Sequence, residues 1–122
     1  MVDGTRLVAA EFEIAFLVYQ NTFERLGIPE AVSSMTIPVP FNDAEAMERR
    51  IELLAEEGRL PACVIMEAAM MNLGVVLPEP GYLEAVREIT RKHGIILIFD
   101  EVKTGICIAA GGAVERFGVM PD

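Results

Sequence analysis

Four apolar residues, Ile96 to Phe99, run directly into two carboxylates, Asp100 and Glu101, near the end of the chain. An uninterrupted apolar run of this length predicts a strand buried on both faces, which is typical of parallel sheets covered by helices. Ligands of such sheets bind outside the carboxyl ends of the strands. The stretch therefore constrains both the fold and the place where a functional site is expected.

The segments before this strand alternate between strand and helix patterns. Residues 36–41 contain two prolines, so they predict an edge strand. A helix is predicted from a cap at Asn42 to about Gly58, and residues 62–68 predict a short strand that ends at Glu67. A second amphipathic helix is predicted over residues 82–93, with Gly94 as its stop. The apolar stripes predicted for the two helices are Met47, Ile51 and Leu54 in the first, and Leu83, Val86 and Ile89 in the second.

The beginning of the chain has a different pattern. Apolar residues recur at three- and four-residue steps, which predicts a helix over residues 8–26. The residues of this stripe are Phe12, Ala15, Phe16, Tyr19 and Phe23.

Composition excludes several classes of function. The net charge of −9 argues against a nucleic-acid partner, which requires clustered Lys and Arg. No apolar stretch reaches the length of a membrane span. Cys63, Cys107 and a single histidine, His93, predict neither a disulfide framework nor a metal site, and they suit a reducing cytoplasm. Hydrophobic residues make up 52%, which favours a buried sheet or an apolar surface that meets a partner.

Three kinds of site place carboxylates at the end of a buried strand. A magnesium site of a nucleotide hydrolase needs an upstream glycine-rich loop that ends in Gly-Lys, and neither Lys92 nor Lys103 follows one. A phosphorylatable receiver aspartate needs an acidic cluster at an early strand, whereas Asp100 lies near the end of the chain. The third kind of site holds the ring nitrogen of pyridoxal phosphate.

Five segments carry a resemblance that favours the third kind. They are "GIPEAV" at 27–32, "IPVPFND" at 37–43, "VIMEAAMMNLGVV" at 64–76, the run from "PEPG" to "DEVKTG" at 78–105, and "GGAVERFGVMPD" at 111–122. In this order and spacing they resemble the class III pyridoxal-phosphate aminotransferases, and most closely the glutamate-1-semialdehyde aminomutase branch. The resemblance implies an α/β fold: a partial parallel sheet with flanking helices, as a fragment of the large domain of a fold-type I enzyme. It implies two parts, an N-terminal helix in residues 1–25 that does not match the family and the partial large domain in residues 26–122.

The resemblance also implies roles for four residues toward pyridoxal phosphate. Asp100 would hold the proton of the ring nitrogen, and Val102, two residues on, would pack against the ring. Asn72 would lie near the phenolic oxygen. Glu67 matches the glutamate at the end of a family strand, although capping of nearby backbone is an equal alternative.

No catalytic residue is assigned. The family's lysine, which binds the cofactor covalently, falls beyond residue 122, and Lys103 is predicted to point away from the face of Asp100. We therefore expect the isolated chain to be inactive, although the family transfers amino groups between small molecules. The alternative is a non-catalytic module for dimerisation or protein interaction. In either case a cytoplasmic homodimer is expected, without nucleic acid or membrane.

Overall fold

The computed structural model describes residues 27–71 and 74–122, together with the backbone of residues 7–11. Four strands and five helices are formed in these ranges. The strands are β1 (Leu7–Glu11), β2 (Thr36–Pro40), β3 (Cys63–Met66) and β4 (Ile96–Phe99). The helices are α1 (Glu30–Ser33), α2 (Ala44–Glu56), α3 (Tyr82–His93), α4 (Thr104–Cys107) and α5 (Gly112–Phe117).

The four strands form one parallel sheet in the order β2-β1-β3-β4. Strand β2 lies at one edge, as its prolines predict, because Pro38 and Pro40 lack the backbone N–H that a central strand donates to its neighbours. Alternation of strands with α2 and α3 gives the predicted α/β class. The predicted order of strand, helix, strand, helix, strand is confirmed from β2 to β4.

The helix predicted over residues 8–26 is wrong at its start, because Leu7–Glu11 forms β1. This strand lies between β2 and β3, and it is paired through Leu7↔Thr36 on one side and Leu7↔Cys63 on the other. The physical reason is long-range backbone pairing on two edges, which overrides a local apolar periodicity. Residues 12–26 of that prediction lie outside the described residues. The division at residue 25 stays a prediction, although β1 is hydrogen-bonded into the sheet of the later residues.

The two long helices pack through the predicted apolar stripes. Met47, Ile51 and Leu54 of α2 are buried, as are Leu83, Val86 and Ile89 of α3. Helix α3 ends at Gly94, which adopts the left-handed conformation typical of a helix stop (φ 67°). These stripes and one side of the sheet form a single core.

The cap predicted at Asn42 is wrong by one residue, because Asp43 accepts the capping hydrogen bond from the backbone N–H of Ala46 at 2.8 Å. Asn42 has a positive φ of 63° instead. Its side chain donates to the carbonyl of Leu77 and accepts from the N–H of Glu79, at 3.1 and 2.9 Å. Both residue types cap helices well, so the local sequence does not distinguish them.

Burial alternates along β4, contrary to the expectation of a strand buried on both faces. Leu97 and Phe99 lie in the core, whereas Ile96 and Ile98 are 52% and 38% exposed. In the described part of the chain, α2 and α3 therefore cover one face of β4 and leave its other face open. In these same ranges, no helix is long and apolar enough to cross a membrane.

Asp122 links the outer edge of β4 to α3 through hydrogen bonds to Leu97 and Arg87. Its backbone N–H donates to the carbonyl of Leu97 at 3.0 Å, and its Oδ2 accepts from the N–H of Leu97 at 2.9 Å. Arg87 of α3 donates to both carboxylate oxygens, at 2.5 and 2.8 Å. The hydrogen bond from Arg87, followed by that from Leu97, lowers the pKa of Asp122 to about 2.

We predict that Asp122→Asn lowers the free energy of unfolding near neutral pH. Because the folded-state pKa is depressed, the stabilisation by this carboxylate is present above its unfolded pKa of about 3.9 and disappears as pH falls toward about 2. Urea unfolding at several pH values should show a wild-type advantage that shrinks from pH 4 downward. Glu57→Gln, at an exposed ion pair with Arg59, is the control and should have little effect. An advantage for wild type that is constant from pH 5 to pH 2 contradicts the prediction.

Candidate functional site at the carboxyl edge of the sheet

The ends of β3 and β4 bring two predicted site residues to the same edge of the sheet. Met66 pairs with Phe99 in the parallel register, and Glu67 and Asp100 are the residues that follow them. The backbone N–H of Asp100 donates to the carbonyl of Met66 at 2.8 Å, so the pairing continues to the edge. Glu67 and Asp100 therefore leave the sheet from matching positions, where parallel sheets bind ligands.

Asp100 is half-buried, and its carboxylate is held by the turn that follows it. Oδ1 accepts a hydrogen bond from the backbone N–H of Val102 at 2.9 Å. This contact fixes the side chain against its own backbone, as acidic residues often do in turns. Within the ranges that the structure describes, the other carboxylate oxygen accepts no hydrogen bond. One oxygen of Asp100 is thus available to accept a hydrogen bond from a ligand N–H.

Val102 is 84% exposed and lies in the turn after the strand. Strand β4 ends at Phe99, so the two-residue alternation from which its orientation was predicted does not extend to this position. Its apolar surface lies beside Asp100 in the chain, but contact with a ring stays a prediction.

Glu67 is half-buried and closes the loop after β3. Its Oε2 accepts from the backbone N–H of Met71 at 2.8 Å, which is the backbone-capping role considered as an alternative for this residue. Asn72, the fourth predicted site residue, lies outside the described residues. The structure therefore brings together Glu67 and Asp100 at one edge and leaves the roles of all four residues as predictions.

Glu101 has a structural role in the loop that follows the site, through hydrogen bonds whose partners the sequence did not reveal. Its Oε2 accepts from the hydroxyl of Thr104 at 2.9 Å and from the backbone N–H of Ala113, also at 2.9 Å. A side chain at Gly112 would place its Cβ 2.6 Å from the same oxygen, so glycine allows this approach. Glu101 thus ties the starts of α4 and α5 to the end of β4.

The chain has two lysines, and among the described residues neither forms an ion pair with Glu67, Asp100 or Glu101. Lys92, in the last turn of α3, is bound to Glu48 of α2 through Nζ and Oε1 at 2.5 Å. Lys103 is exposed and precedes α4.

Comparison with known proteins identifies the family. The family model described as "Aminotransferase class-III" matches residues 18–122. The chain belongs to the class III aminotransferases. Members of this family depend on pyridoxal phosphate, and the resemblance carried by the five segments is confirmed.

The similar curated proteins are glutamate-1-semialdehyde 2,1-aminomutases. That of Methanocaldococcus jannaschii is 51% identical over 96 residues, which cover 79% of this chain and 22% of that protein. The aminomutase of Myxococcus xanthus is 45% identical over 96 residues, which again cover 79% of this chain and 22% of that protein. The chain therefore spans 22% of the length of these relatives.

Solved structures of a transaminase and an aminomutase show the same fold. An omega-transaminase from Sphaerobacter thermophilus has a TM-score of 0.77 at 29% identity, covering 99% of this chain and 31% of that one. A variant of a glutamate-1-semialdehyde aminomutase from Pseudomonas aeruginosa PAO1, solved in complex with PMP, has a TM-score of 0.74 at 27% identity. It covers 99% of this chain and 28% of that one. The predicted fold class, a fragment of the large domain of fold-type I enzymes, is confirmed.

We predict that Gly112→Ala destabilises the chain more than Gly118→Ala. Both glycines have a positive φ (65° and 74°), so both variants incur a backbone penalty of about 1–2 kcal/mol. Only at Gly112 would the new Cβ displace the Glu101 carboxylate and weaken its bonds to Thr104 and Ala113, whereas nothing lies within 4 Å of a Cβ at Gly118. The expected extra loss is about 1–3 kcal/mol in urea unfolding. Equal losses in the two variants would show that Glu101 does not depend on the space left by Gly112.

Proposed function

We propose that this chain supplies the ring-nitrogen side of a pyridoxal-phosphate site in a class III aminotransferase or aminomutase. The observation that carries the proposal is the carboxylate of Asp100 at the carboxyl edge of the parallel sheet, with one oxygen held by Val102 and the other available. When bound, the cofactor withdraws electrons from the substrate, provided that its ring nitrogen is protonated. A carboxylate suits that requirement, so the residues present fit the cofactor.

Asp100 has the central role in this proposal. Its half-buried carboxylate would accept a hydrogen bond from the ring N–H and hold the proton there, since a negative charge in a poorly solvated position favours the protonated ring. The N–H of Val102 orients the carboxylate. Glu101 restrains the following loop through hydrogen bonds to Thr104 and Ala113, and these bonds also restrain the turn that carries Val102.

The other predicted contacts belong to the same proposal. The exposed side chain of Val102 would pack against the ring, and Asn72 would contact the phenolic oxygen. Glu67 would shape the edge by holding the N–H of Met71. The substrates would be small amino donors and acceptors, as the names of the similar aminomutases suggest.

We further infer that the isolated 122-residue chain binds the cofactor without sustaining amino transfer. That reaction needs a lysine at the cofactor, whereas Lys92 is bound to Glu48 and Glu52, and Lys103 is exposed beyond the turn. Steady conversion of glutamate-1-semialdehyde by the purified chain with added pyridoxal phosphate would contradict this inference.

We predict that pyridoxamine phosphate binds saturably to the purified chain and that Asp100→Ala weakens this binding about 10- to 100-fold. The expected loss corresponds to one hydrogen bond to a charged group, about 1.5–3 kcal/mol. Pyridoxamine phosphate needs no lysine, so calorimetric titration tests the carboxylate edge alone. Glu84→Gln, an exposed acid in the first turn of α3, is the control for net charge. Absence of binding, or equal binding by wild type and Asp100→Ala, would overturn the proposal.

A second candidate function is association without catalysis, in which the remnant of an aminotransferase sheet serves as an interaction module in the cytoplasm. The observation that favours it is the set of exposed apolar residues on and after β4. They are Ile96 at 52%, Ile98 at 38%, Val102 at 84% and Ile106 at 90% exposure. Exposure of these apolar side chains to water is unfavourable, and their burial against a second copy of the chain would remove that exposure. Cys63 and Cys107 are both free thiols, which supports the cytoplasmic location proposed for either function.

We predict that the chain is a dimer by size exclusion with light scattering and that the double variant Ile96→Ser, Ile98→Ser shifts it toward monomer. The open face of β4 would lose apolar area in that variant without any change to the core. Leu53→Ser is the matched control, because Leu53 is also 52% exposed but lies on α2. A monomeric wild type at the concentrations of the binding titration would exclude the dimer, and a dimer without pyridoxamine phosphate binding would favour the second candidate.

A further inference from the structure

Helices α2 and α3 bring together three residues that can bind a metal ion, none of which belongs to the predicted site at the carboxyl edge of the sheet. Each of Glu48, Glu52 and His93 offers one ligand atom, and these atoms all lie within 4.8 Å of one another. Glu48 and Glu52 are four residues apart on α2, so they lie on the same face of that helix. His93 is the last residue of α3 and reaches the cluster from the other helix.

The two carboxylates already converge on a positive charge. Nζ of Lys92 lies 2.5 Å from Oε1 of Glu48 and 3.6 Å from Oε1 of Glu52. The hydrogen bond from Lys92 lowers the pKa of Glu48, and the same contact raises the pKa of Lys92. Glu45 and Glu88 also line the adjoining groove, which has a volume of about 330 Å³. Three acidic side chains of this groove, Glu45, Glu48 and Glu88, therefore lie in the neighbourhood of the Lys92 ammonium.

His93 contributes an unsatisfied nitrogen. Its Nε2 is shielded from solvent and has no hydrogen-bond partner in the part of the chain that the structure describes. A shielded polar atom without a partner is destabilising, and coordination of a metal by the imidazole would compensate for this loss. This observation is independent of the two carboxylates, and it leaves the imidazole with a nitrogen that a metal ion could bind.

We propose that Glu48, Glu52 and His93 bind one divalent transition-metal ion of the Zn²⁺ or Co²⁺ kind, in exchange for the ammonium of Lys92. Ligand bonds of about 2.0–2.2 Å place tetrahedral ligand atoms roughly 3.5 Å apart, so the cluster must contract by about 1 Å. The partly exposed side chains of Glu48 and Glu52 can make this movement, and water takes the remaining position. Lys92 leaves readily because its charge sits on a flexible four-carbon stem.

The donor set selects the metal class. One imidazole with two carboxylates suits Zn²⁺, Co²⁺ or Ni²⁺, whereas Mg²⁺ and Ca²⁺ prefer six or more oxygen ligands. The bound ion would join α2 to α3, which otherwise meet through apolar residues and the Lys92 ion pairs. The site would act independently of the carboxyl edge of the sheet.

The test is a Co²⁺ titration of the untagged full chain, followed by visible d–d absorption, in a Cys107→Ser background that removes the exposed thiol. We expect saturation at one ion per chain. His93→Gln and Glu52→Gln should each weaken binding about tenfold or more. Lys92→Met should tighten binding, because it removes the competing cation. Glu88→Gln, an exposed acid in the same groove outside the cluster, is the control and should bind like wild type.

Equal affinity of wild type and His93→Gln would overturn the proposal, as would the absence of one-to-one saturation. A measurement on the wild-type chain alone guards against variants that fail to fold. His93 is the single histidine, so its ring resonances are unambiguous in a heteronuclear NMR spectrum during Zn²⁺ addition. They should shift with the same stoichiometry, and unchanged resonances at saturating Zn²⁺ would exclude His93 as a ligand.

Discussion

The parallel register of β3 and β4 is the constraint on which the candidate site depends. Pairing of Met66 with Phe99 brings the next residues, Glu67 and Asp100, out of the sheet side by side. A slip of β4 by one residue would turn its buried side chains to the open face, so the core under α2 and α3 holds the register. The apolar packing of the core therefore sets the positions at which the two carboxylates leave the sheet. The geometry of the candidate site therefore depends on the packing of the core.

Local patterns were enough to predict the elements that bury an amphipathic face. The stripes of α2 and α3 and the prolines of β2 identify those elements without knowledge of their neighbours. Strand β1 could not be recognised in this way. Its conformation depends on hydrogen bonds to β2 and β3, which lie far along the chain, while an apolar periodicity nearby favoured a helix. The choice of cap between Asn42 and Asp43 also depends on a distant contact, the loop at Leu77.

In the candidate site, too, the sequence predicted some features, whereas others depend on tertiary contacts. The rule that ligands bind at the ends of parallel strands predicted the joint position of Glu67 and Asp100. The partners of Glu101 could not be predicted, because Ala113 follows a glycine-rich loop whose path is set by tertiary contacts. The cluster of Glu48, Glu52 and His93 was missed for a similar reason. A pair of acids four residues apart is common on helices, and only the packing of α3 on α2 brings His93 to it.

The position of β1 in the sheet has a consequence for how the chain acquires its structure. Strand β1 precedes the other three described strands along the chain, yet it lies between β2 and β3, and its pairing with β3 requires residues more than fifty positions later. Pairing over such long sequence separations is slow, because the entropy of loop closure must be lost before the contacts form. During that interval β1 presents unpaired N–H and C=O groups, which can template association with another chain. A nascent chain is therefore most prone to aggregate before β3 emerges from the ribosome.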